Sequence, residues 1–182
     1  MSTWLWVIIV IAAVVIVVGI AWSMASRRRS EQLREGFGTE YDRTVESAGD
    51  RRAAEEELRE RQARHDELEL RPLAPSARSG YQDAWRGTQA AFVDDPSNAI
   101  RDADRLIQGV MRERGYPVED FEVRAAIVSV DHPEVVERYR RAHTIAEASE
   151  TDRDVNTENL RQAMQDYRAL FVELLEDDSV HA

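Results

Sequence analysis

A chain of 182 residues, 43% hydrophobic and 32% charged, with a net charge of −11, accommodates one soluble domain at most beside its other segments. The acidic balance argues against nucleic acid as a partner, because affinity for the phosphate backbone rests on clustered positive charge releasing counterions. With no cysteine there is no disulfide, no thiolate zinc site and no cysteine nucleophile.

The hydrophobic residues are unevenly placed. From Trp4 to Trp22, 19 residues carry no charge, and only Gly19 falls outside the hydrophobic set. At ~1.5 Å per residue such a helix covers roughly 28 Å, close to the ~30 Å hydrocarbon layer of a bilayer. Twelve of the 19 are Leu, Ile or Val, together worth roughly −4 to −7 kcal/mol of insertion free energy as an upper bound. The run 4–22 therefore predicts a transmembrane helix, with the lipid bilayer as its partner. Trp4, Trp6 and Trp22 stand where indoles prefer the two interfaces. A cleaved signal peptide is the competing reading, and Ser23-Met24-Ala25 offers small residues for it. It is opposed by a Met-Ser-Thr start without a basic n-region and by an apolar run longer than a usual h-region. Arg27, Arg28 and Arg29 follow the run, and positive charge stays inside. The expected topology is a single-pass protein of the inner (plasma) membrane, N-terminus outside, soluble part in the cytoplasm. The same triplet could rest on anionic headgroups, though a stop signal needs no such role.

Residues 23–72 read as a charged juxtamembrane stalk: 21 of the 42 positions from Glu31 to Pro72 are charged. Leu33, Phe37, Tyr41, Val45 and Ala48 fall on one helical stripe, which Gly36 and Gly38 interrupt. The expectation is a short helix after the membrane, a turn or kink at these glycines, and a second helix near Thr39 with the threonine as cap. Asp50 to Leu68 carries Glu55–Arg59, Glu57–Arg61 and Glu60–Arg64 at i,i+4. Its apolar line of Ala54, Leu58 and Leu68 is thin, with Arg61 and His65 between. A solvated stalk helix or a weak coiled coil fits this pattern, which leaves a homo-oligomer open.

Pro72 and Pro75 mark the boundary of a helical domain over 73–177, followed by a disordered tail, 178–182. Tyr81, Trp85, Thr88 and Phe92 form one stripe. Asp95-Pro96 supplies an N-cap and first-turn proline, and Ile100, Ala103, Leu106, Ile107, Val110 and Met111 give the next helix its buried face before Gly115 and Pro117 end it. Residues 121–130 fit a helix better than a strand, given Glu119 and Asp120 ahead of them. His132-Pro133 opens another helix, with Val135, Val136, Tyr139, Ala142 and Ile145 inward. The last helix starts near Asn156 or Thr157 and buries Leu160, Met164, Tyr167, Leu170, Phe171 and Leu174. With no period-two alternation, the fold class is all-α: a transmembrane helix, a charged helical stalk and a small antiparallel bundle of four to five helices.

The phrases from Arg34 to Arg43, Phe92-Val93-Asp94-Asp95-Pro96, Arg114-Gly115-Tyr116-Pro117 and Val130-Asp131-His132-Pro133-Glu134-Val135-Val136 resemble a family of uncharacterised bacterial proteins with one N-terminal membrane helix and an Arg/Glu-rich helical body. The likeness covers roughly residues 31–175. It implies the same architecture and carries no activity or functional residue with it.

The candidate chemical sites each have a plainer explanation. Asp152-Arg153-Asp154-Val155-Asn156 matches the start of a calcium loop, but Thr157 replaces its glycine and Ala163 its final glutamate; a loop and helix cap account for it. His132-Pro133-Glu134 has a deaminase outline without the cysteines that chemistry requires. His132 and His143, eleven apart, could share a metal with Glu147, yet histidines at a helix start and on a partly exposed face are commoner. Gly36-Phe37-Gly38 lacks the rest of a dinucleotide fingerprint, and the chain has no lysine for a phosphate-binding loop. Asp94-Asp95 and Asp177-Asp178 are explained by capping and solvation. Tyr81, Trp85 and Phe92 could line a pocket, although such stripes usually build cores. The sequence thus assigns no catalytic, cofactor-binding or metal residue and no enzymatic activity. It points to a membrane-tethered scaffold or interaction module with a protein partner, or alternatively to a small-molecule or metal sensor centred on Tyr81, Trp85, His132 and His143.

Overall fold

The computed structural model describes residues 3–151 and 155–176; the side chains at 3, 5, 7–10, 12, 15, 25, 150 and 151 lie outside the description. So do Asp152, Arg153 and Asp154 of the calcium-loop candidate, Asp177-Asp178 and the tail 178–182. Among the described residues the chain is all-α: α1 (Thr3–Phe37), α2 (Thr39–Ala48), α3 (Arg51–Asp66), α4 (Pro75–Ala91), α5 (Pro96–Arg114), α6 (Phe121–Asp131), α7 (Pro133–Thr151) and α8 (Thr157–Glu176). It divides into two compact units, 1–55 and 56–182, so the expected stalk 23–72 contributes to both.

In the first unit, α1 runs without a break for 35 residues, about 52 Å at helical rise. It is not interrupted at Gly36, and no separate short helix follows the apolar run. The turn falls at Gly38 alone, whose φ of 50° lies in the left-handed region that a residue lacking Cβ enters without strain. Gly38 donates its N–H to the Arg34 carbonyl (3.0 Å). Thr39 consequently sits inside the first turn of α2, and the expected threonine cap is not made: Gly38 is the N-cap and no side chain caps the helix. Gly49, at φ 66°, ends α2 in a left-handed C-cap. Leu33, Phe37 and Tyr41 are buried as the stripe requires, whereas Val45 is half-buried and Ala48 exposed.

Among the described residues no helix is long and apolar enough to cross a membrane, so the transmembrane helix expected over 4–22 is without support from them. Seven side chains inside the run 4–22, at 5, 7–10, 12 and 15, fall outside the description. Trp4, Trp6, Trp22, Arg27, Arg28 and Arg29 are all exposed on α1.

The segment expected to be a solvated stalk or weak coiled coil instead buries a stripe: Ala54, Leu58, Arg61 and His65 are each at most 7% exposed within the single chain. Polar residues take apolar positions there because each has a partner. Arg61 pairs with Glu57 and His65 with Asp131 (2.7 Å). On α3, Arg59 reaches Glu56 (2.9 Å) and Arg51 reaches Glu55 (2.8 Å).

In the second unit α4 to α8 pack around Ile100, Ile107, Val110, Met111, Val128, Val136, Tyr139, Tyr167, Leu170 and Leu174. Amphipathic spacing puts these on one face of each helix, and burying that face is the main source of stability. The boundaries follow local chemistry. Asp95 accepts from Asn98 N–H (3.1 Å) ahead of Pro96, and Asp120 accepts from Val123 N–H (2.9 Å), which starts residues 121–131 as a helix. Asn156 accepts from Glu158 N–H (2.9 Å) at the head of α8. Leu68, Leu70 and Leu73 pack on the same core, so the proline-bounded connection before α4 is held down rather than loose. Arg71 N–H donates to the Arg114 carbonyl (3.0 Å).

Gly115 ends α5 at φ 98°, and a Cβ there would lie 2.8 Å from the Glu69 carbonyl oxygen. Both backbone strain and a clash with rigid backbone oppose any side chain. Gly115→Ala is expected to destabilise the second unit by about 1–3 kcal/mol, read from the urea midpoint of the full chain; an unchanged midpoint would show that the 67–74 connection yields.

Candidate functional site

The first unit carries a cleft of about 320 Å³ lined by Trp22, Ser23, Ser26, Arg27 and Ser30 of α1 and by Arg51, Arg52 and Glu55 of α3. The α1 residues recur at three- and four-residue intervals and so share a face; Arg51, Arg52 and Glu55 occupy the first turns of α3. Glu55 is the acidic residue of the lining and is buried. Its carboxylate accepts from the Ser30 hydroxyl (2.6 Å), the Tyr41 hydroxyl (3.0 Å) and Arg51 Nε (2.8 Å). Burial by itself would raise the Glu55 pKa, but the hydrogen bonds from Ser30, Arg51 and Tyr41 outweigh it and hold the group below the usual carboxylate value. Burial, followed by the adjacent Glu55 carboxylate, raises the Tyr41 phenol. Arg27 and Arg52 are exposed and pair with no acidic group among the described residues. The cleft thus presents three guanidinium groups and three hydroxyls around one compensated carboxylate. Sequence reading found Arg27 and Trp22 but not Arg51 or Arg52, which lie some two dozen residues further along and are returned to α1 by the turns at Gly38 and Gly49.

Of the sensor candidates, Trp85 lines a cavity. A hollow of about 530 Å³ in the second unit is lined by Trp85 and Phe171, with Arg78, Arg86 and Arg168 around it. Trp85 stacks on Phe171 at 4.5 Å and 17°. Its indole N–H is buried without a hydrogen-bond partner and is covered, so it offers nothing to a ligand in this conformation. Tyr81 is elsewhere: its hydroxyl donates to Glu113 (2.9 Å), and its ring lies against Gly109. Phe92 packs on the core.

His132 and His143 do not form the metal pair considered from their spacing. His143 stacks on Phe121 at 3.6 Å and lies 3.5 Å from Glu147. His132 groups instead with Glu134 and Glu173, their ligand atoms within 4.8 Å of one another. One buried imidazole and two exposed carboxylates have the donor types of a divalent-cation site. The Glu173 contribution from α8 had no signal in the sequence beside His132-Pro133-Glu134.

Much of the remaining buried polarity in the second unit pairs internally. Asp166 is held bidentately by Arg141 (2.7 and 2.8 Å), Arg124 Nε donates to the Tyr139 hydroxyl (2.5 Å), and the Tyr167 hydroxyl donates to Asp104 (3.1 Å). Burial pushes both phenols far above their ordinary value, so neither is poised for proton transfer near neutrality. Asp131 accepts from the Tyr116 hydroxyl (2.6 Å) and lies 2.7 Å from His65 Nε2. The hydrogen bond to Asp131 raises the His65 pKa against desolvation. Burial would raise Asp131, but His65 and Tyr116 together lower it.

No protein-family model matches this chain, nor does any of the curated proteins or solved structures.

The His65–Asp131 pair has a definite pH signature. A histidine whose folded pKa is raised stabilises the fold fully below its unfolded value near 6.5, and that contribution is lost as pH rises through the folded pKa. Asp131, held below 3.8, contributes above that value, and its share is lost as pH falls through its own folded pKa. Urea-unfolding stability of the full chain should therefore fall as pH rises above about 6.5, and His65→Gln should flatten that limb. Asp131→Asn should cost about 1–3 kcal/mol at neutral pH. An equal alkaline limb in His65→Gln would assign it to other groups.

Proposed function

We propose that this chain is a single-pass membrane protein whose helical body, held at the cytoplasmic face of the inner membrane, works as a non-enzymatic scaffold or interaction module for a protein partner. The observation that carries the reading is the continuity of α1: the uncharged run 4–22 and the Arg27–Arg29 flank belong to one unbroken helix, Thr3–Phe37. A helix satisfies its own backbone hydrogen bonds, which the hydrocarbon layer demands. Exposed Trp4, Trp6 and Trp22 suit the two interfaces. Support for a non-catalytic role comes from the second unit, where Arg124 and Tyr139, Arg141 and Asp166, and Asp104 and Tyr167 are engaged in pairs.

The experiment is fractionation of the full chain with alkaline extraction, combined with reporters fused after Ala182 that are active on only one side of the membrane. Retention in the extracted membranes with a cytoplasmic C-terminus is the expected result. Release into the supernatant would overturn the anchor, and an external C-terminus would overturn the charge-based orientation.

A second reading, a tethered small-molecule or metal sensor, is favoured by the cavity beside Trp85 and the His132, Glu134 and Glu173 group. A ligand bound only by the folded state raises the melting temperature, by about 2.7 kcal/mol of stability at a hundred times Kd. Zinc should do so in a manner abolished by His132→Ala if this reading holds, and an aromatic carboxylate such as naphthoate in a manner abolished by Arg168→Gln. No shift with either probe would leave the interaction module as the reading.

A further inference from the structure

We infer that the cleft between α1 and the start of α3 is a phosphate-binding site and that, in the anchored chain, it holds the headgroup of an anionic phospholipid from the inner leaflet. This rests on the membrane anchor proposed above for the source of the phosphate, though not for the chemistry of the cleft.

Three observations converge. The donor set comes first: Arg27 and Arg52 supply planar guanidinium groups that match phosphate oxygens, Arg51 and Ser30 being engaged by Glu55, and Ser23 and Ser26 add hydroxyls on the same face of α1. Only Glu55 opposes them, and its charge is already engaged by Arg51 and two hydroxyls. Arg27 and Arg52 have no acidic partner among the described residues, in a chain with eleven more acidic than basic side chains. Such cations left beside a cavity favour an anion from outside the chain.

Depth is the second observation. Trp22 ends the uncharged run and lines the cleft, and Ser30 lines its far end. Eight helical residues rise about 12 Å, while the headgroup layer on one side of a bilayer is about 5–7 Å thick. A cleft that begins at the interfacial tryptophan therefore opens at headgroup level. The third is shape: about 320 Å³ is the size of a small-ligand pocket, whereas a flat basic surface would attract anionic lipid without discriminating positions.

That last distinction supplies the test. The full chain is placed in nanodiscs of mixed phosphatidylcholine and phosphatidylglycerol, and the phosphatidylglycerol retained per chain is counted by native mass spectrometry. Arg52→Gln and Arg28→Gln remove the same charge, but only Arg52 lines the cleft. Arg28→Gln is expected to lower retention by at most about fivefold, the effect of any one arginine near an anionic surface, and Arg52→Gln by about tenfold or more, because it also removes charge-assisted hydrogen bonds to the phosphate. Equal losses in the two variants, or no preference for phosphatidylglycerol in the unsubstituted chain, would overturn the inference. Helical circular dichroism and the melting temperature of each variant separate loss of binding from loss of fold. Adding millimolar glycerol phosphate distinguishes the sources: displacement of the lipid assigns the cleft to a soluble phosphate ester, and persistence assigns it to the bilayer. A chain that stays in membranes yet shows no Arg52 dependence would sink the cleft while leaving the anchor standing. A chain released from membranes would sink the anchor, and an Arg52-dependent melting shift with glycerol phosphate would then still support the phosphate chemistry.

Discussion

The first unit depends on one carboxylate. Glu55 is buried, and a buried charge is tolerable only when hydrogen-bonded and compensated. Partners reach it from three helices: Ser30 on α1, Tyr41 on α2 and Arg51 on α3 itself. The same bonds that stabilise the ionised group therefore set the three helices around it, and the turns at Gly38 and Gly49 make that return of the chain possible. With Glu55 engaged by these groups, Arg27 and Arg52 line the cleft as exposed cations. Arrangement and electrostatics here have a common cause.

The second unit solves a related problem with different groups. Asp131 gathers Tyr116 and His65, and Asp166 is held by both prongs of Arg141. These pairs bind helices distant in sequence, since His65 precedes Asp131 by 66 residues. They explain how a chain so rich in arginine and glutamate still closes a core: paired polar side chains extend the apolar faces, and Arg114, 1% exposed, is spent on the Leu174 carbonyl (2.9 Å).

Much of this fold is legible in the sequence, for reasons that are local. Asp95-Pro96, Asp120, Gly115 and Asn156 mark helix ends because capping and left-handed termination are decided within a few residues, and the apolar faces of α5, α7 and α8 follow from helical period. What periodicity misreads is α3, where Arg61 and His65 interrupt the apolar line. Their burial depends on partners, and Asp131 lies far beyond any window in which a pattern could show it. The turn at Gly36 and Gly38 was visible, but which glycine reverses the chain was not, because either can take positive φ. The site residues divide in the same way. Trp22 and Arg27 are readable as the flank of an apolar run; Arg51 and Arg52 are not, since only the fold places them beside it. Trp85 belongs both to a helical stripe and to a cavity wall, and Glu173 joins His132 and Glu134 only through packing of α8.

The proposed anchor requires α1 to cross the bilayer with the cleft at its inner edge. The chain has no cysteine, so single cysteines introduced along 5–30 can be mapped one at a time with a membrane-impermeant maleimide in intact and permeabilised cells. Protection throughout 5–21, with labelling at 23, 26 and 30 only after permeabilisation, is the predicted profile. Reactivity spread evenly along α1, or labelling at 26 and 30 in intact cells, would contradict it.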